Sequence, residues 1–437
     1  MKAWHAPRIH TPIHSRVLVP GSKSQTARAL YLAATGEGRC EIEGILRSRD
    51  TDLFTHALEV LGAGVTMTTP TRAVITPICH DASPRNERVI DCGLAGTVMR
   101  FLPPLAALSS APTRFDGDQQ AYARPLASLL SILENLGAQI TFHGEEGHLP
   151  FTICGPLQPT SSPITVDASA SSQFFSAMLL IAPLIGGAVI RSDQPLISLP
   201  HIEMTLEMMR ETGLSWERVE TGEWKVEAGR STASSLAIEA DLSNAGPFLC
   251  AGILSGGEVT IPNWPCVSTQ PGAHWPELFA QMGIETSFLE TEAGRGELTV
   301  HADGPGSFSG IEADMSSMGE MVPALAALLL FASSPSTLTG IAHLRGHETD
   351  RLSAIATSIT DLGGCVEEFN DGLRIIPGPL HGATLRSFAD HRMATFAAIV
   401  GLMTDGVSVD DISCTSKTIP GFELMWAHMC EERGNNV

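Results

Sequence analysis

Apolar helices recur along this chain at an almost constant interval. Short polar or small residues open such a helix at Ser24, Gly96, Ser172, Asn244, Met318 and His391, which lie 72, 76, 72, 74 and 73 residues apart. A second pattern keeps the same beat. Helical stretches run into a glycine, as in Ala57-Leu58-Glu59-Val60-Leu61-Gly62 and Leu133-Glu134-Asn135-Leu136-Gly137, and β-prone residues then follow. Later copies end at Gly213, Gly283, Gly363 and Gly434. Glycine just past a helix end supplies the left-handed conformation that terminates it. Two markers with one period predict six copies of a unit of about 73 residues, each with two helices and several short strands.

Three such units make one half of the chain. The expected domains are residues 20–238 and residues 1–19 plus 239–437. The chain then starts in one domain, crosses near Pro20 and returns near Glu239. Two crossings predict a double-crossover hinge, with a cleft between equal halves that closes on a ligand.

Composition narrows the function classes. With 48 acidic and 27 basic residues the net charge is −21, which disfavours nucleic acid or an anionic membrane as a partner. Nine scattered cysteines without a C-x-x-C pair read as thiols in a reducing compartment, not as a disulfide or zinc framework. The N-terminus has no signal-peptide core, and the longest apolar stretch, Val322–Ala332, is far short of the ~20 residues that span a bilayer. A cytoplasmic, monomeric protein is expected.

The scarce cations gather where helices begin. Ser22-Lys23-Ser24-Gln25-Thr26 leads to Arg28, Ala95-Gly96-Thr97 leads to Arg100, Ser169-Ala170-Ser171-Ser172-Gln173 opens a third helix and Asp390-His391-Arg392 a sixth. A helix N-terminus offers unsatisfied N–H groups and partial positive charge, so these starts suit anions. Gly96 beside Thr97 allows close backbone approach. Arg100 and His391 read as orienting or structural residues, and Asp241 with Ser243-Asn244 reads as a helix cap.

These motifs resemble the 5-enolpyruvylshikimate-3-phosphate synthase family. Val19-Pro20-Gly21-Ser22-Lys23-Ser24, Ala95-Gly96-Thr97-Val98-Met99-Arg100, Arg124-Pro125 and Ser171-Ser172-Gln173 match its N-terminal half. Glu348-Thr349-Asp350-Arg351, Asp390-His391-Arg392-Met393 and Cys414-Thr415-Ser416-Lys417-Thr418 match its C-terminal half. The resemblance implies an α/β fold of two similar domains, each of three βαβαββ-like units. It implies transfer of the enolpyruvyl group of phosphoenolpyruvate to the 5-hydroxyl of shikimate 3-phosphate, with release of phosphate, in the shikimate pathway to chorismate and the aromatic amino acids. Neither a metal nor an organic cofactor is implied.

Residue roles follow from the same resemblance. Lys23, Arg124, Arg351, Arg392 and Lys417 are expected to grip phosphoenolpyruvate, with the Gly96 backbone and Gln173 beside it. Ser24 and Arg28 would hold the shikimate carboxylate, and Ser171, Ser172 and Ser198 its phosphate. Lys23 and Gln173 would face both substrates, and His343 and His347 would lie on the shikimate phosphate side. Asp314 would orient and deprotonate the hydroxyl, and Glu348 would protonate the methylene carbon and later remove that proton. Lys23 joins these two as a catalytic residue. Mutual repulsion among the cations is expected to keep an empty site open.

Several positions depart from the common family pattern. Leu94 stands where Asn is frequent, His201 where Tyr is, His343 where Asn is and His347 where Lys is. Gly319 and Glu320 replace a usual Pro and Asp. If His347 replaces a phosphate-binding Lys, affinity for shikimate 3-phosphate is expected to fall as pH rises through the histidine pKa. The family is the target of glyphosate, a phosphoenolpyruvate competitor, and Gly96 implies sensitivity. Two other readings remain at this point. One is the sister transferase acting on UDP-N-acetylglucosamine, which usually has Asn in place of Ser24 and a loop Cys that Ser110–Pro125 lacks. The other is a non-catalytic six-unit scaffold.

Overall fold

In the computed structural model, which describes residues 3–78, 87–167, 171–192, 194, 196 and 198–431, two compact units form. One comprises Gly21–Ile238 and the other Met1–Pro20 with Glu239–Val437. Each has its own hydrophobic core. Gly434, Cys79 and the pair Ser169-Ala170 lie outside the described residues.

The first unit contains α1 (Lys23–Ala34), α2 (Arg49–Val60), α3 (Gly96–Ala106), α4 (Ala127–Asn135), α5 (Ser172–Ile181) and α6 (Leu199–Glu211). The helices alternate in character. In α1, α3 and α5 nearly every residue is buried, polar ones near their starts included, so a helix enclosed on all sides forms the centre. In contrast, α2 and α4 bury one stripe and show a polar face. The second unit repeats this with buried α7 (Leu242–Ser255), α9 (Val322–Leu329) and α11 (His391–Gly401). Its partners are α8 (Trp275–Gln281), α10 (Arg351–Asp361) and α12 (Phe422–Glu431). A fully buried Leu or Phe contributes about 1.5–3 kcal/mol, so these central helices anchor each unit.

The glycine stops sit where the sequence pattern puts them. Gly62, Gly137, Gly213, Gly283 and Gly363 follow α2, α4, α6, α8 and α10 with φ of 106°, 100°, 86°, 79° and 76°. The helix starts fall at or within two residues of expectation at five of six positions: α1 begins at Lys23 and α7 at Leu242. The exception is Met318, which precedes a single 3-10 turn, Gly319–Met321, before α9 begins at Val322. Asp241 caps α7 by accepting from the Asn244 backbone N–H at 3.0 Å.

Among the described residues there are six sheets, and five share one plan: a parallel pair followed by an antiparallel hairpin. In the second repeat, strand 88–91 runs parallel to 113–116, which pairs antiparallel with 151–154 and that with 139–142. Reading along the chain gives β-α-β-α-β-β. The sixth sheet has three strands, with 384–385 parallel to 408–409 and the N-terminal pair Trp4–His5 in place of the hairpin.

The crossings exchange two leading strands. Residues 14–16 precede α1 but pair with 258–260 in the second unit, whereas 235–237 precede α7 but pair with 41–43 in the first. Each unit therefore completes a sheet with a strand from the far end of a chain excursion. Gly21 sits at the first crossing with no room for a side chain, since a Cβ there would lie 2.0 Å from the Gly44 carbonyl oxygen.

Candidate active site

In the first unit, α3 begins without a side-chain cap. Ala95 occupies the cap position and makes no side-chain bond, whereas Ser22 caps α1 and Ser171 caps α5. The first N–H groups of α3 therefore lack a capping side chain, as an anion seat requires. Around this mouth stand Arg100, Arg124 and Gln173. A Cβ on Gly96 would come within 3.0 Å of Arg100 Nη1 and 3.2 Å of both Arg124 Nη2 and Gln173 Oε1. Arg100 Nη1 donates to Gln173 Oε1 at 2.7 Å and so orients it. Arg124 Nη1 donates to the Leu94 carbonyl at 3.2 Å, so the main chain makes a polar contact at the position where Asn is frequent.

Arg28 plays a different local part from a surface cation. Only 2% exposed, it donates to Thr205 Oγ1 (2.7 Å), the Ser24 carbonyl (2.9 Å), Ser176 Oγ (3.2 Å) and the His201 carbonyl (2.9 Å). Its guanidinium thus ties α1 to α5 and α6. Lys23 reaches the buried Asp50 at 3.3 Å. Ser171 accepts from the Gln173 backbone at 3.3 Å, Ser172 is buried, and Ser198 precedes α6 with φ 54°.

In the second unit one network gathers most of the expected residues. Lys417 Nζ donates to Glu348 Oε1 at 2.7 Å, and Arg351 Nη2 to Glu348 Oε2 at 2.9 Å. Arg351 Nε also donates to Asp390 Oδ2 at 2.7 Å, while Asp390 Oδ1 accepts from the Arg392 backbone at 2.9 Å. The Arg392 side chain donates to Glu320 Oε2 at 2.9 Å. Burial would raise the Glu348 carboxyl, but Lys417 and Arg351 outweigh it and hold it well below the usual carboxylate range.

His347 Nδ1 lies 3.3 Å from Arg351 Nη1. Arginine can only donate, so Nδ1 accepts and a neutral ring carries its proton on Nε2. His347 is exposed at the surface, and partial desolvation, then the Arg351 charge, lower its pKa from the ordinary histidine value. This revises the expectation of a histidine charged near neutral pH. The His343 ring lies 6.1 Å from it, and burial lowers that pKa as well. Asp314 is exposed on strand Glu312–Asp314, and the backbone N–H of Ser316, at 2.8 Å, together with its hydroxyl lowers its pKa. Gly340 must be glycine here, because a Cβ would lie 2.3 Å from Asp314 Oδ1.

The cations are thus not left to repel one another. Arg351, Arg392 and Lys417 are matched by Glu348, Glu320 and Asp390, and Lys23 by Asp50. Each of these cations has a counter-charge within its own unit. Asp390 opens a recognised motif and Asp50 lies in none, but acidic residues at helix starts also read as ordinary caps. Among the described residues no cluster of three or more His, Cys, Asp or Glu could hold a metal ion, and no helix is long and apolar enough to cross a membrane.

The folds and sequences of known proteins agree with this arrangement. The structure resembles EPSP synthase from Acinetobacter baumannii with a TM-score of 0.81 at 22% identity, covering 98% of this chain and 97% of the other. It resembles the enolpyruvyl transferase NikO from Streptomyces tendae with a TM-score of 0.74 at 18% identity, covering 98% and 96%. The 3-phosphoshikimate 1-carboxyvinyltransferase of Kocuria rhizophila is 44% identical over 440 residues, 99% of this chain and 97% of that protein. The protein of the same name from Bifidobacterium longum is 44% identical over 444 residues, covering 98% of each. With the EPSP synthase (3-phosphoshikimate 1-carboxyvinyltransferase) family model matching residues 7–426, the chain belongs to that family.

Proposed function

We propose that this protein is a transferase that moves the enolpyruvyl group of phosphoenolpyruvate to the 5-hydroxyl of shikimate 3-phosphate. The observation that carries the reading is Glu348, a carboxylate clasped by Lys417 and Arg351 on a chain of this family. Both cations are also the kind of group that binds a phosphate or a carboxylate.

The chemistry then runs as follows. Phosphoenolpyruvate draws Lys417 and Arg351 toward its own oxygens and weakens their hold on Glu348. Its carboxyl pKa rises, so it takes up a proton and becomes an acid able to protonate the methylene carbon. Asp314, kept ionised by Ser316, orients the 5-hydroxyl and accepts its proton as the oxygen attacks. The new methyl group then returns a proton to Glu348 as the C–O bond to phosphate breaks, which restores the double bond. The departing phosphate takes up the proton that Asp314 received from the hydroxyl. Arg124, the Gly96 backbone and Gln173 hold phosphoenolpyruvate together with Lys23, Arg392 and Lys417. Ser24 takes the shikimate carboxylate with the Arg28 charge beneath it. Ser171, Ser172 and Ser198 take the phosphate, with His343 and His347 on that side.

In this proposal both units serve one reaction and the protein acts as a monomer. We place it in the cytoplasm, which suits eight described cysteines that are all free thiols. The test is phosphate release from phosphoenolpyruvate with shikimate 3-phosphate as acceptor, repeated with UDP-N-acetylglucosamine. Release with the first acceptor alone is expected; release only with the second, or with neither, overturns the reading.

A further inference from the structure

We propose that Glu320 is a built-in stand-in for the anionic substrate: its carboxylate holds Arg392 in the unliganded protein and yields that guanidinium to phosphoenolpyruvate. The inference rests on the functional reading above and adds a residue to which that reading gives no role.

Asp390, Glu348 and Glu320 contact Arg351, Arg392 and Lys417, and the three carboxylates are not equivalent. Asp390 is fully buried and accepts from Arg351 twice and from the Arg392 backbone, so it is a fixed part of the framework. Glu348 is 13% exposed and bridges Lys417 and Arg351. Glu320 is 28% exposed and grips the tip of Arg392, itself 12% exposed. It is the carboxylate of the three most open to water, so it loses least when displaced.

Its backbone cannot follow the side chain away. Glu320 sits within the 3-10 turn Gly319–Met321, whose ends are pinned by the fully buried Met315 and Met321. Met318 N–H donates to the Met315 carbonyl and Met321 N–H to the Met318 carbonyl, each at 2.9 Å. Gly319 packs against His343 so closely that a Cβ would come within 2.5 Å of Nε2. The turn therefore fixes where the Glu320 side chain starts, and only its rotation frees Arg392. Until then an incoming anion meets both the attraction of Arg392 and the repulsion of Glu320. The structure thus assigns Glu320 as a positioning residue acting through Arg392, one that lowers affinity for phosphoenolpyruvate while keeping the guanidinium aimed.

Steady-state kinetics on the full-length protein with Glu320→Gln and Glu320→Asp test this. The amide keeps an acceptor for Arg392 but removes the repulsion, so KM for phosphoenolpyruvate is expected to fall about fivefold. The change belongs in KM rather than kcat, with KM for shikimate 3-phosphate moving less than twofold and inorganic phosphate becoming a stronger competitor. Glu320→Asp keeps the charge, so its KM should stay within about twofold of wild type. Thermal denaturation of both variants separates misfolding from the electrostatic effect. A phosphoenolpyruvate KM that is unchanged or raised in Glu320→Gln overturns the inference. A wild-type protein that releases no phosphate with both substrates instead overturns the functional reading, so the two failures are distinct.

Discussion

Lys417 and Glu348 are 69 residues apart in sequence and 2.7 Å apart in the fold, with Arg351 on the other carboxylate oxygen. The pair ties the last motif of the chain to the motif that opens α10. It also sets the protonation state of the residue on which the proposed carbon protonation depends.

Glu348→Gln is expected to lower kcat about a thousandfold, because an amide cannot deliver a proton to carbon. It should also destabilise the protein by about 2 kcal/mol at pH 7, since Lys417 and Arg351 lose a charged acceptor in a partly buried site. The folded pKa of Glu348 lies below its unfolded value. Its contribution to stability is therefore full above the ordinary carboxylate pKa and disappears as pH falls through the lowered one. Denaturation of wild type and variant across pH 3–7 should show their gap narrowing only below about pH 4. A gap that is constant with pH would show that Glu348 is not held ionised by these cations.

Gly96→Ala places a methyl group among Arg100, Arg124 and Gln173 at 3.0–3.2 Å, and the 2.7 Å bond between Arg100 and Gln173 limits how far they can give. The expected result is a rise of about tenfold in KM for phosphoenolpyruvate, with a parallel loss of glyphosate inhibition. Shikimate 3-phosphate should be affected far less. Unchanged inhibition would remove Gly96 from the wall of that seat.

Arg28 distinguishes framework from ligand contact. Replacing it by Met removes the donor shared by the Thr205 and Ser176 hydroxyls and the Ser24 and His201 carbonyls. Although the two hydroxyls stay bonded to each other and to the His201 carbonyl, the cost is about 2 kcal/mol. A clear fall in the thermal denaturation midpoint is expected before any substrate is added. If the midpoint stays and only shikimate 3-phosphate binding weakens, the four bonds are incidental to stability.

The repeat was legible because its two markers are local. A glycine after each helix needs only the left-handed backbone, and an apolar helix behind a small or polar start declares itself within a dozen residues. The start after Met318 was misjudged because Pro323 favours the first turn of a helix, which moves α9 to Val322 behind a 3-10 turn. The equal split of the repeat places residues 14–16 and 235–237 in their units, but the strand partners they take there leave no sequence trace. Each is three residues long, and its partner is chosen by the sheet it meets across more than 190 residues. Motifs located the cations for the same local reason, together with Glu348 and Asp390, but not the counter-charges Asp50 and Glu320. Asp50 stands 27 residues from Lys23, and Glu320 stands 72 from Arg392, so only the fold pairs them.

His347 carries the last prediction, because geometry reverses the sign expected from residue type. A histidine in place of a lysine suggests a cation near pH 6 that is lost on the way to pH 8. Here Arg351 already donates to Nδ1, and partial desolvation together with that guanidinium lowers the pKa of a ring that stays exposed. A lowered pKa favours the neutral ring, and in the proposed function its Nε2–H is an uncharged donor to shikimate 3-phosphate. The substrate phosphate itself titrates near pH 6, so the useful quantity is the ratio of dissociation constants for wild type and His347→Gln. That ratio should stay flat across pH 5.5–8, because neither side chain changes charge there. The same depressed pKa makes His347 a source of acid sensitivity: the unfolded ring protonates below about pH 6.5 while the folded ring does not, so its share of stability declines as pH falls toward 3. A ratio that falls steadily with rising pH would mean the bound phosphate keeps His347 protonated, and would return the residue to the role of a lysine substitute.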